Sequence, residues 1–343
     1  MIFENRSRVE NNTYSFFGPM EMAFYEDGIT FDETATFKII ISCLWTLSMI
    51  VSIVGNACTC AVISRDRSMR TPTNCYLLNL AITDLMIALY IPLEIYVLWI
   101  PDYYPFGEEG CYIHFLLWDF LSNCSILTIS AFTVERYLVI TRPFLRQKLS
   151  SKSRVFKIIA IIWVISCLFC VPDGFYIDML EKKKYSYCYI TVDSDVEIML
   201  IMEVFVFFVV PMTVITVIYV LIALKMKSAQ YKLRSSSATS NSDKDKAVRM
   251  LATVAGMFFF CWFPFCIYRI MMVWRILNYL CSVNVYLSTA VNPILYSLMS
   301  RRFRRAFKAL AAILWDASKN PRNMEHKIIY FSKQKLKYLH LKY

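Results

Sequence analysis

The sequence predicts an all-α membrane protein, a seven-transmembrane helix bundle with an amphipathic eighth helix. Three observations predict it. Of 343 residues 57% are hydrophobic and 18% charged, and the apolar residues are gathered into repeated blocks of about 20, the length that crosses a bilayer. The basic residues crowd the segments that would lie on one side of the membrane. The stretch after the last block, RRFRRAFKALAAILW, sets Phe303, Phe307, Leu310 and Leu314 at helical spacing behind a basic N-terminal end.

Taken in order, residues 1–36 read as an acidic, mobile extracellular arm. It has no cationic run leading into an early apolar core, so no cleaved leader is expected. Asn5 and Asn11 head N-x-S/T tripeptides and are candidate glycosylation sites there. The bundle occupies 37–300, with helices expected over 37–64, 72–100, 111–141, 153–172, 197–227, 246–274 and 280–300. Ile39–Ser64, Val204–Leu224, Met250–Tyr268 and Ile276–Ser300 contain no Asp, Glu, Lys or Arg at all. The other three spans carry only isolated charges. The amphipathic helix covers 301–315, on the inner membrane surface, and 316–343 is a basic cytoplasmic tail.

Orientation follows from charge. With segments 65–70, 142–157, 225–249 and 301–343 inside, the cytoplasmic side holds 28 of the 37 Lys and Arg against 5 acids, and the other side 7 basic residues against 16 acids. That is the positive-inside pattern, with the N-terminus outside, and it predicts a multi-pass plasma-membrane protein. The net charge of +11 reads as topology, not as nucleic-acid binding, because the basic residues flank membrane helices. Most of the 12 cysteines fall within apolar spans as small hydrophobes. Cys111 and Cys188 lie in outer segments, where an oxidising compartment permits a disulfide.

Ionisable groups are costly in lipid, so each one inside a span is a functional candidate. Glu94 follows Pro92, which should kink the second helix, and Asp119 lies eight residues below Cys111. Together they could floor an outward-facing acidic cavity. Trp262, Phe265 and Arg269 share a face of the sixth helix, beside Pro264. Near the inner boundary stand Glu135 and Arg136, within reach of Tyr219 and Tyr296, an arrangement suited to a two-state switch. Asp84, Ser125 and Asn292 offer oxygen ligands at mid-depth for a small cation such as sodium. Glu203, near the start of the fifth helix, is expected to snorkel to water.

The order of Gly55-Asn56, LAITD ending at Asp84, Cys111, ERY at 135–137, Trp163, Pro211, CWFP at 261–264 and NPILY at 292–296 resembles the rhodopsin-like (class A) G-protein-coupled receptors across all seven spans. Ile126, Pro211 and Phe258 match that family's transmission-core positions. Within it, IPLEIYVLW, YYPFGEEGCYIHFLLWDF and TVERYLVITRPF resemble the neuromedin U and pyrokinin receptors, which bind amidated peptides containing Arg. The resemblance implies that Glu94 and Asp119 receive this Arg and that Arg269 is a basic pocket residue. It further implies a heterotrimeric G protein of Gq type with calcium release, and arrestin as a further partner. No cofactor is implied beyond an allosteric sodium ion. Two features depart from the pattern: a short third outer loop, and Lys244 where many receptors carry an acid.

Receptors of the neurotensin, ghrelin and thyrotropin-releasing-hormone type share this framework and are the alternative. An amine receptor is disfavoured, since the position seven residues after Cys111 is Trp118. A transporter, a retinal protein or an intramembrane enzyme is disfavoured too. The last helix has no Lys for a Schiff base, the three His form no metal cluster, and no chemical step is expected.

Overall fold

The computed structural model describes residues 14–16, 22–24, 34–101, 103–141, 151–182, 185–190, 194–232, 256, 259–264, 275–299 and 301–319. Asn5, Asn11, Lys244, Phe258, Phe265 and Arg269 lie outside the described residues, as does the side chain of Tyr219. In the N-terminal arm, β1 (Tyr14–Phe16) pairs antiparallel with β2 (Met22–Phe24).

Helix α1 (Ala35–Arg65) begins where the Thr34 hydroxyl accepts the Phe37 N–H, satisfying one of the donors a helix start leaves open. Thr71 caps α2 (Pro72–Ala88) in the same way, with Pro72 at the first position, where its missing N–H costs nothing. The second span then breaks at Leu89–Tyr90 and resumes as α3 (Ile91–Trp99). Pro92 cannot donate to the turn before it, and the expected kink appears as a break between two helical segments. Helix α4 (Gly107–Thr141) starts at Gly107 with φ 64°, a left-handed conformation that a Cβ would strain.

Helix α5 (Lys152–Cys170) is followed by a hairpin, β3 (Ile177–Lys182) with β4 (Tyr185–Ile190), antiparallel with Met179 opposite Cys188. A disulfide joins Cys188 to Cys111 across 77 residues of sequence. It pins the hairpin to the top of α4. The fifth span runs as α6 (Ser194–Val204), a π-helical turn at Phe205–Val209, and α7 (Val210–Lys232). Pro211 has no N–H for the Phe207 carbonyl, and the widened turn upstream accommodates that mismatch. The seventh span is α8 (Arg275–Met299), with Pro293 inside it.

Five helices among the described residues are long and apolar enough to cross a membrane, within Ala35–Arg65, Pro72–Trp99, Gly107–Val139, Lys152–Phe175 and Ile201–Ile218. The most apolar stretch of α4 is 67% buried, against 28% for α1 and 22% for α5, so α4 is the central helix. It packs on α2, α5 and α7. The outward faces carry Leu47, Val54, Ile161 and Leu168, all exposed. Such apolar surface belongs against lipid. Inside, hydroxyls turn back on their own helices: Ser48 donates to the Leu44 carbonyl, Thr59 to Gly55, and Thr133 to Ile129.

Two devices lock helices together at buried polar points. Pro293 deprives the Thr289 carbonyl of its helical partner, and Asn56 Nδ2 of α1 donates to it at 3.0 Å. Gly55 makes that approach feasible, because a Cβ there would stand 2.7 Å from the Pro293 Cβ. On the other side, Trp163 Nε1 of α5 donates to Asn79 Oδ1 at 3.0 Å, and Asn79 Nδ2 donates to Thr128 of α4 at 2.9 Å. One amide thus joins three helices.

The chain divides into two units, at Leu295. The second unit holds the end of α8 and α9 (Arg301–Lys319), which extends four residues past the expected 301–315. Within it the Tyr296 and Phe303 rings lie 5.9 Å apart, and Phe303 and Phe307 6.1 Å apart.

Candidate functional site

The outer acids form two groups, where the sequence suggested one. Glu94, fully buried in α3, pairs with His114 of α4, whose Nε2 lies 3.5 Å from Oε1. The His114 ring lies nearly parallel to those of Tyr90, at 5.3 Å, and Tyr104, at 6.2 Å. Buried Tyr286 of α8 adjoins the same carboxylate. Glu94 lies in the first turn of α3, just past the break at Leu89–Tyr90. Burial, reinforced by the Glu94 carboxylate, holds the Tyr104 phenol above its ordinary pKa. It therefore stays protonated and donates to the Gly110 carbonyl at 3.1 Å.

Asp119 belongs to the second group. One carboxylate oxygen each of Asp119, Asp173 and Glu203 lie within 4.8 Å of one another, all three residues buried, and Glu94 stands outside the group. The oxygens have the spacing and chemistry to surround one cation, whether a metal ion, an ammonium or a guanidinium. Glu203 is 5% exposed and accepts from Asn123 Nδ2 at 2.9 Å. This corrects the snorkelling expectation: the acid faces α4, not water. A cavity of about 340 Å³, lined by Leu168, Phe169, Pro172, Asp173, Met199, Met202 and Glu203, reaches two of the three carboxylates. Asp173 went unrecognised in the sequence because, after Pro172, it counts as one more solvated loop acid. Its only signal is its place at the end of an apolar block.

At mid-depth, Asn292 Nδ2 donates to Asp84 Oδ2 at 2.9 Å and Ser125 donates to Thr83 at 2.8 Å. Asp84, Ser125 and Asn292 line a cavity of about 10 Å³ together with Trp262. Trp262, expected as a ligand contact on a cavity-lining face of the sixth span, is among the residues around this cavity. Ile126 and Pro211 are buried. From the π-helical turn, Phe208 packs on Phe259 and Phe263 of the sixth span, at 6.2 and 6.1 Å.

At the inner end, Glu135 is 4% exposed and its Oε2 accepts from Arg154 Nη2 of α5 at 2.6 Å. Tyr76 of α2 adjoins the same carboxylate. Glu135 is thus bound by a third residue, one that the sequence had left among the cations of an inner segment. The Arg136 guanidinium lies over the Phe132 ring, 5.3 Å from its centre. Tyr296 lies in the second unit.

Residues 55–296 match the 7 transmembrane receptor (rhodopsin family). The neuromedin-U receptor 2 of Mus musculus is 32% identical over 293 residues, which cover 78% of this chain and 74% of that receptor. The pyrokinin-1 receptor of Drosophila melanogaster is 31% identical over 339 residues, 79% of either chain. The thyrotropin-releasing hormone receptor of Gallus gallus is 30% identical over 337 residues, 84% of this chain and 83% of that one. A family match over this length, on a scaffold of membrane-length helices with its disulfide in place, makes the protein a receptor and not an enzyme: the chain belongs to the rhodopsin family of seven-transmembrane receptors, the class A G-protein-coupled receptors.

Proposed function

We propose that this receptor responds to an amidated neuropeptide carrying Arg, at the plasma membrane with its N-terminus outside, and signals through a Gq-type heterotrimeric G protein to release calcium. The burial of Glu94 and Asp119 carries this reading. Carboxylates held out of water are a poor arrangement for a neutral ligand and a strong one for a guanidinium, since opposite charges attract far more in a low-dielectric site. The names of the neuromedin-U and pyrokinin relatives support a peptide of this kind. The acidic outer face would draw a basic peptide in.

Binding would favour a conformation with the sixth helix swung out about Pro264, carrying Trp262 and Phe265 with it, and Arg269 would line the same pocket. The shift extends only as far as the peptide's differential affinity for the two conformations. Ile126, Pro211 and Phe258 would repack between the sites, and Arg136, with Glu135 beside it, would meet the G protein; Tyr219 and Tyr296 would act as further residues of this switch. Arrestin would use the same inner face. Asp84, Ser125 and Asn292 supply a carboxylate, a hydroxyl and an amide around about 10 Å³, which suits one small cation; sodium held there would act as an allosteric ligand. Asn5 and Asn11 would carry glycans, and the apolar face of α9 would lie on the inner leaflet.

The test is a calcium assay in transfected cells against a panel of amidated peptides, followed by charge removal. Glu94→Gln or Asp119→Asn should weaken an Arg-containing agonist by about thirtyfold or more, and an analogue with that Arg neutralised far less. Equal losses for the two peptides would rule out direct pairing. A receptor for another peptide is the second reading, favoured by the thyrotropin-releasing hormone receptor matching over the larger share of this chain. In that case the same panel would respond to a peptide without Arg.

A further inference from the structure

We propose that Arg154 is a positioning residue of the cytoplasmic switch: it draws the Glu135 carboxylate away from Arg136 and so leaves the receptor able to couple to a G protein without ligand. The inference rests on the reading of Arg136 as the G-protein contact.

Glu135 is the buried acid nearest the cytoplasmic end of α4, and two guanidinium groups compete for it. Its sequence neighbour Arg136 is tethered to the same helix. Arg154 comes from another helix, α5, and its Nη2 reaches Glu135 Oε2 at 2.6 Å, the length of a short charge-assisted hydrogen bond. The side chain of Glu135 is 4% exposed and that of Arg154 32%, so the bond is largely shielded on the carboxylate side and the guanidinium still meets solvent at its rim. Arg154 also lies in the first turn of α5, where the positive end of the helix dipole adds to the attraction for a carboxylate. Tyr76 of α2 adjoins the same acid and steadies it from a second side.

Arg136 is turned elsewhere. Its guanidinium lies over the ring of Phe132, one helical turn back. A ring face holds a cation weakly compared with a buried carboxylate. An arginine resting on Phe132 is released to a partner at lower cost than one bound by Glu135. Arg154 therefore sets how firmly Arg136 is restrained, although it need not touch the G protein itself.

The experiment uses the full-length receptor in cell membranes, without peptide, and reads nucleotide exchange on a panel of purified heterotrimers spanning the main Gα classes. Signal is normalised to receptor at the surface. Wild type should exceed receptor-free membranes. Arg154→Gln should lower exchange about fivefold, within the range expected for coupled neighbours, because Glu135 returns to Arg136. Arg154→Lys should recover most of the loss. Glu135→Gln should raise exchange, and adding Arg154→Gln to it should change nothing further. A purely structural Arg154 would lower surface amount in both backgrounds and would not be silenced by Glu135→Gln.

The proposal is overturned by wild-type exchange no higher than in receptor-free membranes, by unchanged or increased exchange in R154Q, or by an R154Q effect that persists in the E135Q background. If R154Q does not reach the surface, the comparison of E135Q with the double variant decides, since neither leaves an unpaired acid buried. Arg136→Ala separates the two levels of failure. Coupling that survives it removes Arg136 from the G-protein contact, whereas coupling that is lost while Arg154→Gln is neutral removes only the role of Arg154.

Discussion

Gly55→Ala should loosen α1 from α8, and the structure sets the size of the effect. The added Cβ would stand 2.7 Å from Pro293 Cβ and 2.8 Å from Cγ. Carbon atoms rest at about 3.5–4.0 Å, so α1 must recede by roughly 1 Å. The Asn56–Thr289 bond, 3.0 Å long, does not survive that displacement. Overpacking of this kind costs about 1–3 kcal/mol. Stranding a buried carbonyl that Pro293 has already deprived of its helical partner costs about 1–3 kcal/mol more. Together they amount to about 2–6 kcal/mol, or a fall of about 3–8 °C in the melting temperature of the detergent-solubilised receptor. Gly174→Ala is the control, since its Cβ would meet Leu116 at an ordinary 3.6 Å. Asn56→Ala should show part of the loss, and adding it to Gly55→Ala should cost little more, the bond being broken already. A melting temperature for Gly55→Ala equal to that of Gly174→Ala would refute the close-approach account.

Other outcomes are expected elsewhere. Trp163→Phe removes the donor to Asn79 Oδ1 and should lower stability by about 1–2 kcal/mol in the same melting assay, while keeping the ring contact with Phe120. Cys188→Ser releases a closure of 77 residues, worth about 4 kcal/mol on the chain-entropy account, and should show as reduced surface expression and a mobile hairpin in hydrogen exchange. Asn123→Leu strips Glu203 of its amide donor and should destabilise the receptor by about 1–3 kcal/mol; adding Glu203→Gln should recover part of this in thermal unfolding. Asn292→Ala should act likewise on Asp84, and its melting temperature should fall below that of Asn292→Ser, which retains a hydroxyl donor.

The helices were legible because a bilayer demands long apolar blocks, and Ile39–Ser64 or Val204–Leu224 can hardly be read otherwise. Pro92 announced the break between α2 and α3 for an equally local reason. The partners of the charges were much less legible. Arg154 stands among the cations of an inner segment, and nothing near it in sequence points to Glu135, 19 residues earlier. Glu203 sits close enough to a boundary to suggest water; its burial depends on Asn123, 80 residues away. His114 lies in an apolar span, and only the fold brings it to Glu94. Composition registers the length of a helix, whereas facing residues are chosen by how helices are rotated about their axes.

That rotation is visible in the fifth span. In the turn at Phe205–Val209 the backbone bonds skip one residue more than usual, so the chain holds one residue in excess of a regular helix. Wound regularly with the same residues, the helix would swing Glu203 by about 100° relative to α7, away from Asn123. Deleting one residue from Phe205–Val209 should therefore do less harm than deletion anywhere else in this helix: it discards the surplus and leaves both flanks in phase. Removing a residue from a regular helix turns every face beyond it by about 100°, yet here the helix contains its own allowance for one.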